Sequence, residues 1–511
     1  MNILKHLFRK PALSASEQQQ VPFPDSYNLD TQLLHLSPLD TWTIRDACEG
    51  VQIFGAIGSG KTSGSGAALA KAFLRAGFGG LVMCAKPEER QLWEGYAKET
   101  GRENHLIVFS PDQHWRFNWL NYELRRAGKG GGQTENLVSL FSHITEIVEG
   151  RVDPGGGDPF WARAMRELIR NAIDILSLAK AELTLEDICR LIAEAPQSAE
   201  EAGPNLSQEE AEAIGYIPTD RTIKWWQTSF CAACVGDAGH KEKTPREAHD
   251  YKVSTRYWLQ TYPALSDRTR SGIVASFTGI ADMLLHGFAW ELFCTESNLV
   301  PEVTFQDGAI IVLDIPIQEY HDIGRIAQGI FKFMFQRSIL RRDAQQYPRP
   351  VFLWADEAQN FVSSFDYQYQ AVARSARACT VYLTQNINNY FSVLGSQSES
   401  DVNALLGNFQ TKIFHANSDR ATNQYASEMI SQEETTTYSY NSSANNEGNN
   451  GSSQSAGGSD TIRYKVLPAA FTTLRKGGPN NGLAVDSIIF QGGRVWNATG
   501  DTYLKAVFKQ A

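Results

Sequence analysis

The sequence predicts an α/β protein: a parallel sheet with crossover helices, interrupted by a long all-helical insertion. Three observations predict it. Short apolar runs alternate with helix-periodic stretches between residues 51 and 111 and again between 309 and 416. The first run, "VQIF", opens directly into the glycine-rich "GAIGSGKTSG" at 55–64. Between 158 and 300 the strand-like runs stop, and apolar residues recur at helical spacing, as in "PFWARAMRELIRNAIDIL".

The elements follow in order. Residues 1–25 read as a flexible tail. Its first ten residues place Ile3, Leu4, Leu7 and Phe8 on one helical face among basic residues, and "SASEQQQVPFP" reads as linker. Residues 26–157 form the first part of the core: strand 51–54, the glycine-rich turn, a helix, then the strands "GGLVMC" and "LIVFSP". "AGKGGGQ" and "DPGGG" read as joints. In the insertion, 158–300, Thr184 and Asp187 of "TLEDICRLI" mark a helix start, and 182–212 is rich in acids. Residues 301–430 return to strands with "AIIVLDI", "PVFLWADEAQNF", "CTVYLTQ" and "TKIFHA". Residues 431–461 are so rich in Gly, Ser and Asn that they predict a disordered polar loop. Residues 462–511 close the core with a hairpin placed at "LAVDSIIFQGGRVW".

Bulk properties bound the function. The 511 residues exceed one simple core. A net charge of −10 argues against a surface coated in basic patches, but leaves room for a basic lining inside a ring or channel. No run approaches the roughly 20 apolar residues a membrane helix needs, and the start lacks the apolar core of a signal peptide. A cytoplasmic protein is expected, with Cys84 and Cys379 as buried free thiols. Cys231 and Cys234 in "CAAC" lack a second cysteine pair to complete a zinc site, and two thiols on one helical face is the better reading.

The chemistry concentrates in a few short stretches. Gly55, Gly60, Lys61 and Thr62 satisfy G-x-x-x-x-G-K-[ST], with a strand running in and a helix running out. Backbone N–H groups of Gly55, Ala56, Ile57, Gly58, Ser59, Gly60, Lys61, Thr62 and Ser63 are expected to hold the phosphates of ATP at a helix N-terminus. Lys61 would reach the β- and γ-phosphates, and the Thr62 hydroxyl would ligate Mg²⁺. The apolar "VFLWA" ends in Asp356 and Glu357; Asp356 would hold Mg²⁺ through water, and Glu357 would orient or deprotonate the attacking water. Gln385 ends another strand, where it would sense the γ-phosphate. Arg374 and Arg377 precede that strand, and residues 46–74 contain no arginine, so a neighbouring subunit would supply one. Each arginine also reads as an ordinary surface residue.

The succession "GAIGSGKTSG", "CAKPEE", "FNWLNYE", "DPFW", "VFLWADEAQNF", "ARSAR…YLTQN" and "TKIFHANSDRATNQYAS" resembles the TraG/TraD-like coupling ATPases of type IV secretion, within the FtsK/HerA superfamily of hexameric motors. The resemblance covers roughly residues 40–430 plus the closing hairpin. It implies a RecA-like P-loop NTPase core and a hexamer. It also implies Mg²⁺-dependent ATP hydrolysis that drives DNA, or a relaxase–DNA complex, toward a secretion channel. Lys61, Thr62, Asp356, Glu357 and Gln385 fall on the family's nucleotide machinery, and Arg374 fits its trans-acting arginine better than Arg377. The insertion takes the place of the family's cargo-facing helical domain. Two departures stand out. The chain lacks the family's membrane helices, so attachment to the inner face of the membrane would come from a separate anchoring component. The family's "DPKGE" reads "CAKPEE", keeping Lys86 and Glu88 but not the Asp. Two other readings stay open: a HerA/FtsK-type DNA motor of mobile-element maintenance or phage defence, and an ATP-switched receptor for protein substrates.

Overall fold

The computed structural model describes residues 27–149, 159–180, 182–204, 216–394, 399–444 and 452–510. The amphipathic pattern of the first ten residues and the joint at 153–157 lie outside them.

After a small hairpin, β1 (Gln32–Ser37) with β2 (Asp40–Thr43), the chain builds a nine-stranded sheet. Its strands are β3 (Val51–Phe54), β4 (Gly79–Met83), β5 (Leu106–Phe109), β6 (Ile310–Leu313), β7 (Val351–Ala355), β8 (Ala378–Thr384), β9 (Thr411–Phe414), β12 (Ala484–Gln491) and β13 (Tyr503–Lys509). The order is β13-β12-β9-β3-β8-β7-β4-β6-β5. The run from β9 to β5 is parallel throughout, and β12 and β13 add to the β9 edge in antiparallel fashion.

Helices on both faces explain why these strands read as continuous apolar runs. In β7, Val351, Leu353 and Ala355 enter one core, and Phe352 and Trp354 enter the other. The second core is aromatic. Phe352 stacks between Phe73 and Trp93, with ring centroids 5.9 and 5.3 Å away, and Trp93 meets Trp354 edge-on. This packing fixes the C-terminal ends of β3, β4, β7 and β8 side by side. In such a sheet, that edge is where ligands bind.

The chain leaves the sheet after β5 and returns at β6. Among the described residues between Trp119 and Gln306, the regular elements are helical. Thr184 and Asp187 form the expected capping box: Thr184 Oγ1 accepts from the Asp187 N–H at 3.0 Å, and Asp187 Oδ2 accepts from the Thr184 N–H at 3.3 Å. Cys231 and Cys234 lie buried on one face of helix Phe230–His240, and no group of three metal-ligating side chains occurs among the described residues. Cys84 and Cys379 are buried free thiols. No single helix among the described residues is long and apolar enough to cross a membrane.

Two expectations need correction. The stretch 431–461 is not a structureless loop where it is described. β10 (Gln432–Ala444) and β11 (Ser452–Tyr464) pair in antiparallel register from Gln432↔Tyr464 to Ala444↔Ser452. Its composition cannot bury apolar area, and residues 432–434, 436–441 and 455–461 are indeed exposed. Yet "TTTYSY" carries β-branched and aromatic residues, and backbone pairing needs no core. The closing hairpin also differs: "GGRVW" belongs to the turn, and the second strand is the later "YLKAVFK", in which Leu504, Ala506 and Phe508 alternate into the core.

Candidate nucleotide site

The glycine-rich loop leaves β3 and turns at the C-terminal edge of the sheet. Gly60 has φ +84°, and a Cβ there would lie 2.6 Å from a Val485 methyl, so both conformation and space require glycine. The first turn beyond it is wide: the Gly66 N–H bonds to the Lys61 carbonyl, five residues back, at 2.9 Å. A buried imidazole backs this turn. His415 Nδ1 faces the Asp486 carbonyl at 2.9 Å, so it carries the proton, and Nε2 accepts from Ser65 Oγ at 2.7 Å. Burial lowers the His415 pKa to about 4.

The acidic residues meet the loop from β7. Thr62 Oγ1 donates to Asp356 Oδ2 at 2.6 Å, and Lys61 Nζ lies 3.5 Å from Glu357 Oε1. Glu357 sits in the left-handed region (φ 50°, ψ 49°), an uncommon conformation for a side chain of its size. Its carboxylate also receives Lys86 Nζ at 3.3 Å, Gln359 Nε2 at 3.0 Å and Gln385 Nε2 at 3.3 Å. Burial pushes the Glu357 carboxyl up, but Lys61, the two amides and Lys86 outweigh it and hold the pKa below the usual value. Glu357 is therefore ionised at neutral pH. Burial opposes charge on Lys86, yet Glu357 and Asp356 outweigh that and raise its pKa.

Lys61, Thr62, Asp356, Glu357 and Gln385 thus converge. The loop residues Gly55, Ala56, Ile57, Gly58, Ser59, Gly60 and Ser63 stand around them in sequence, and Ser59 Oγ is buried without a protein partner. A buried hydroxyl without a partner, an ammonium group and a Thr–Asp pair are the donors and acceptors that nucleotide phosphates and Mg²⁺ require. The donor set fits both.

The arginines stand elsewhere. β8 runs seven residues from their end to Gln385, so roughly 20 Å separates them from the glycine-rich loop of the same chain. Arg377 has φ 50° and spends Nη1 on the carbonyls of Tyr27 and Pro348, both at 2.9 Å, which makes it a structural residue. The Arg374 side chain is 61% exposed and pairs with Glu49 at 3.2 Å.

Several residues at the site were not among the expected set. Lys86 was visible in "CAKPEE", although its contact with Glu357 was not. Glu88 of that stretch is exposed; Glu89 is buried instead, and burial and then the Asp356 charge push its carboxyl up to about 8. Gln359 is locked by Thr384 Oγ1 at 2.8 Å. Beneath the Glu357 loop, Lys332 Nζ binds Asp366 Oδ2 at 2.6 Å and the Phe361 carbonyl at 2.5 Å. Gln336 and Tyr382 also donate to Asp366, at 2.9 and 2.7 Å, as do the Ser363 N–H and hydroxyl at 2.7 and 3.0 Å.

Residues 350–470 match the family model described as "TraM recognition site of TraD and TraG". Comparison with curated proteins gives no match. Among solved structures, the bacterial conjugative coupling protein TrwBdeltaN70, in its unbound monoclinic form, superposes with a TM-score of 0.54 at 13% identity, over 94% of this chain and 88% of that one. Plasmid coupling protein TrwB with the non-hydrolysable ATP analogue ADPNP gives 0.51 at 14% identity, over 91% and 87%. The same protein with ADP and Mg²⁺ gives 0.51 at 13% identity, over 92% and 87%. At these identities the likeness shows a shared fold.

Proposed function

We propose that this chain is a TraG/TraD-like coupling ATPase, which hydrolyses ATP with Mg²⁺ and uses the energy to move DNA, alone or bound to a relaxase, toward a type IV secretion channel. The observation that carries the ATPase reading is the meeting of Lys61 and Thr62 with Glu357 and Asp356 across β3 and β7. The working unit is a hexamer. Residues 26–157, 301–430 and 462–511 form its motor core, and the helical insertion of 158–300 faces the cargo. The relatives named for conjugative coupling and for TraM recognition support that setting, as do their complexes with ADPNP and with ADP and Mg²⁺.

The roles follow from the geometry. Mg²⁺ held by Thr62 and, through water, Asp356 would neutralise charge on the phosphates. A phosphate in the loop competes with Glu357 for Lys61, whose ion pair with that carboxylate is long. Glu357 Oε1, relieved of Lys61, accepts a proton from water. Gln385 and Gln359 hold the two carboxylate oxygens in place while it does so. Lys86 keeps a positive charge beside the developing negative one. Arg374 cannot reach its own loop and acts on a neighbour's, where a guanidinium stabilises the transferring phosphoryl group. A separate component attaches the hexamer to the inner face of the membrane.

The test is ATP hydrolysis by the purified protein with and without DNA. A motor turns over faster on DNA. Hydrolysis at one rate regardless of DNA would overturn the motor reading in favour of a switched receptor for protein substrates.

A further inference from the structure

We infer that Gln510 is a positioning residue of the nucleotide site: its amide fixes the Ser63 hydroxyl as a hydrogen-bond donor to the nucleotide. The inference rests on the ATP-binding reading above. Gln510 lies just past β13, and its N–H continues that strand's ladder to the Leu483 carbonyl at 2.9 Å. The orientation of its side chain is fixed by chemistry. Oε1 accepts from the Gly478 N–H at 2.6 Å, a contact the amide nitrogen cannot make. Nε2 therefore faces Ser63 and donates to Oγ at 2.7 Å. The seat is built for this side chain. At Gly477, φ is +81° and a Cβ would lie 2.3 Å from Gln510 Oε1. The same segment touches the phosphate loop directly: the Lys476 carbonyl lies 3.2 Å from the Cβ position of Gly60.

The direction of the bond matters. A serine hydroxyl that accepts from an amide keeps its own proton free and polarised toward another acceptor. Ser63 is exposed, whereas the side chains before it, Lys61 and Thr62, are turned to Glu357 and Asp356. Its free O–H is thus offered away from the acidic pair, to the phosphates that ATP and ADP share. Anchored in the β12–β13 hairpin, Gln510 ties the hairpin's position to nucleotide affinity.

A carboxylate separates this role from a mere latch. In Gln510→Glu, the side chain still accepts from Gly478 and still bonds Ser63. Now, however, Ser63 must donate to it, and a negative charge sits beside the loop. The experiment is calorimetric titration of the full chain with Mg²⁺ and ADP, with melting temperatures recorded in parallel. Gln510→Ala should weaken ADP binding roughly 3–10-fold, the scale of one hydrogen bond. Gln510→Glu should weaken it more, by tenfold or greater. In a Ser63→Ala background Gln510→Ala should change affinity little, and Gln510→Glu should keep only the part of its effect that comes from its charge. Wild-type affinity in Gln510→Glu, or an undiminished effect of Gln510→Ala without the Ser63 hydroxyl, would overturn the inference. Failure of the wild-type protein to bind ADP would instead overturn the ATPase reading, and this inference with it.

Discussion

At the C-terminal end of β8, Gln385 reaches Glu357 inside a cluster that also holds Lys61, Lys86 and Asp356. At its N-terminal end, Arg374 stands mostly in solvent and Arg377 is spent on two carbonyls. One end is buried and its charges are matched within the chain. The other presents a cation held by a single partly exposed ion pair, a contact that contributes little to folding. The difference teaches where the proposed second subunit would enter. On the proposed roles, a chain that keeps its base, its metal ligands and its phosphate loop at one end, and an available arginine about 20 Å away, would be half of a shared site.

Arg374→Ala sharpens the comparison most. It should lower hydrolysis by about 10³–10⁵ with ATP affinity retained. Arg377→Ala should act through stability instead, seen as a lower melting temperature with turnover per folded molecule kept. At the other end, Glu357→Gln should reduce turnover by about 10²–10⁴ and leave nucleotide binding intact. If it hydrolyses ATP at the normal rate, the base lies elsewhere.

Stability tests probe what holds the buried end together. Asp366→Asn leaves Lys332 buried without a charge partner and should cost about 3–5 kcal/mol by denaturant unfolding. His415 gives a pH signature. Its folded pKa of about 4 lies below the unfolded value of about 6.5. Protons therefore bind preferentially to the unfolded chain as pH falls between those values. Stability conferred by the neutral ring is complete above about 6.5 and declines by up to about 3 kcal/mol toward pH 4. A His415→Gln protein should lose that part of the slope, and an unchanged slope would place the ring outside the core. The smallest effect belongs to the exposed ribbon. Deleting 434–462 should leave the melting temperature within a few degrees of wild type. A large drop would show that the ribbon packs on the body.

The sequence made one end of the sheet far more legible than the other. Lys61 and Thr62 are adjacent and follow a strand, and Asp356 and Glu357 end another, so local pattern alone placed them. Gln385 needed only the end of β8. Only the resemblance favoured Arg374 over Arg377; that Arg377 is held by the carbonyls of Tyr27 and Pro348, residues distant in the chain, leaves no local signal. The Lys332–Asp366 and Ser65–His415 contacts join residues 34 and 350 positions apart and leave no local signal. The ribbon is hidden in the sequence because low apolar content masks the strand preference of its threonines and tyrosines.

The most direct test of the shared site mixes two inactive proteins, Lys61→Ala and Arg374→Ala, under conditions where rings are shown to exchange subunits. In an even mixture, about a quarter of interfaces join an intact phosphate loop to an intact arginine. ATP hydrolysis should reappear at a substantial fraction of the wild-type rate. Mixed rings that stay as inactive as either parent would contradict a site assembled from the two ends of β8 in different subunits.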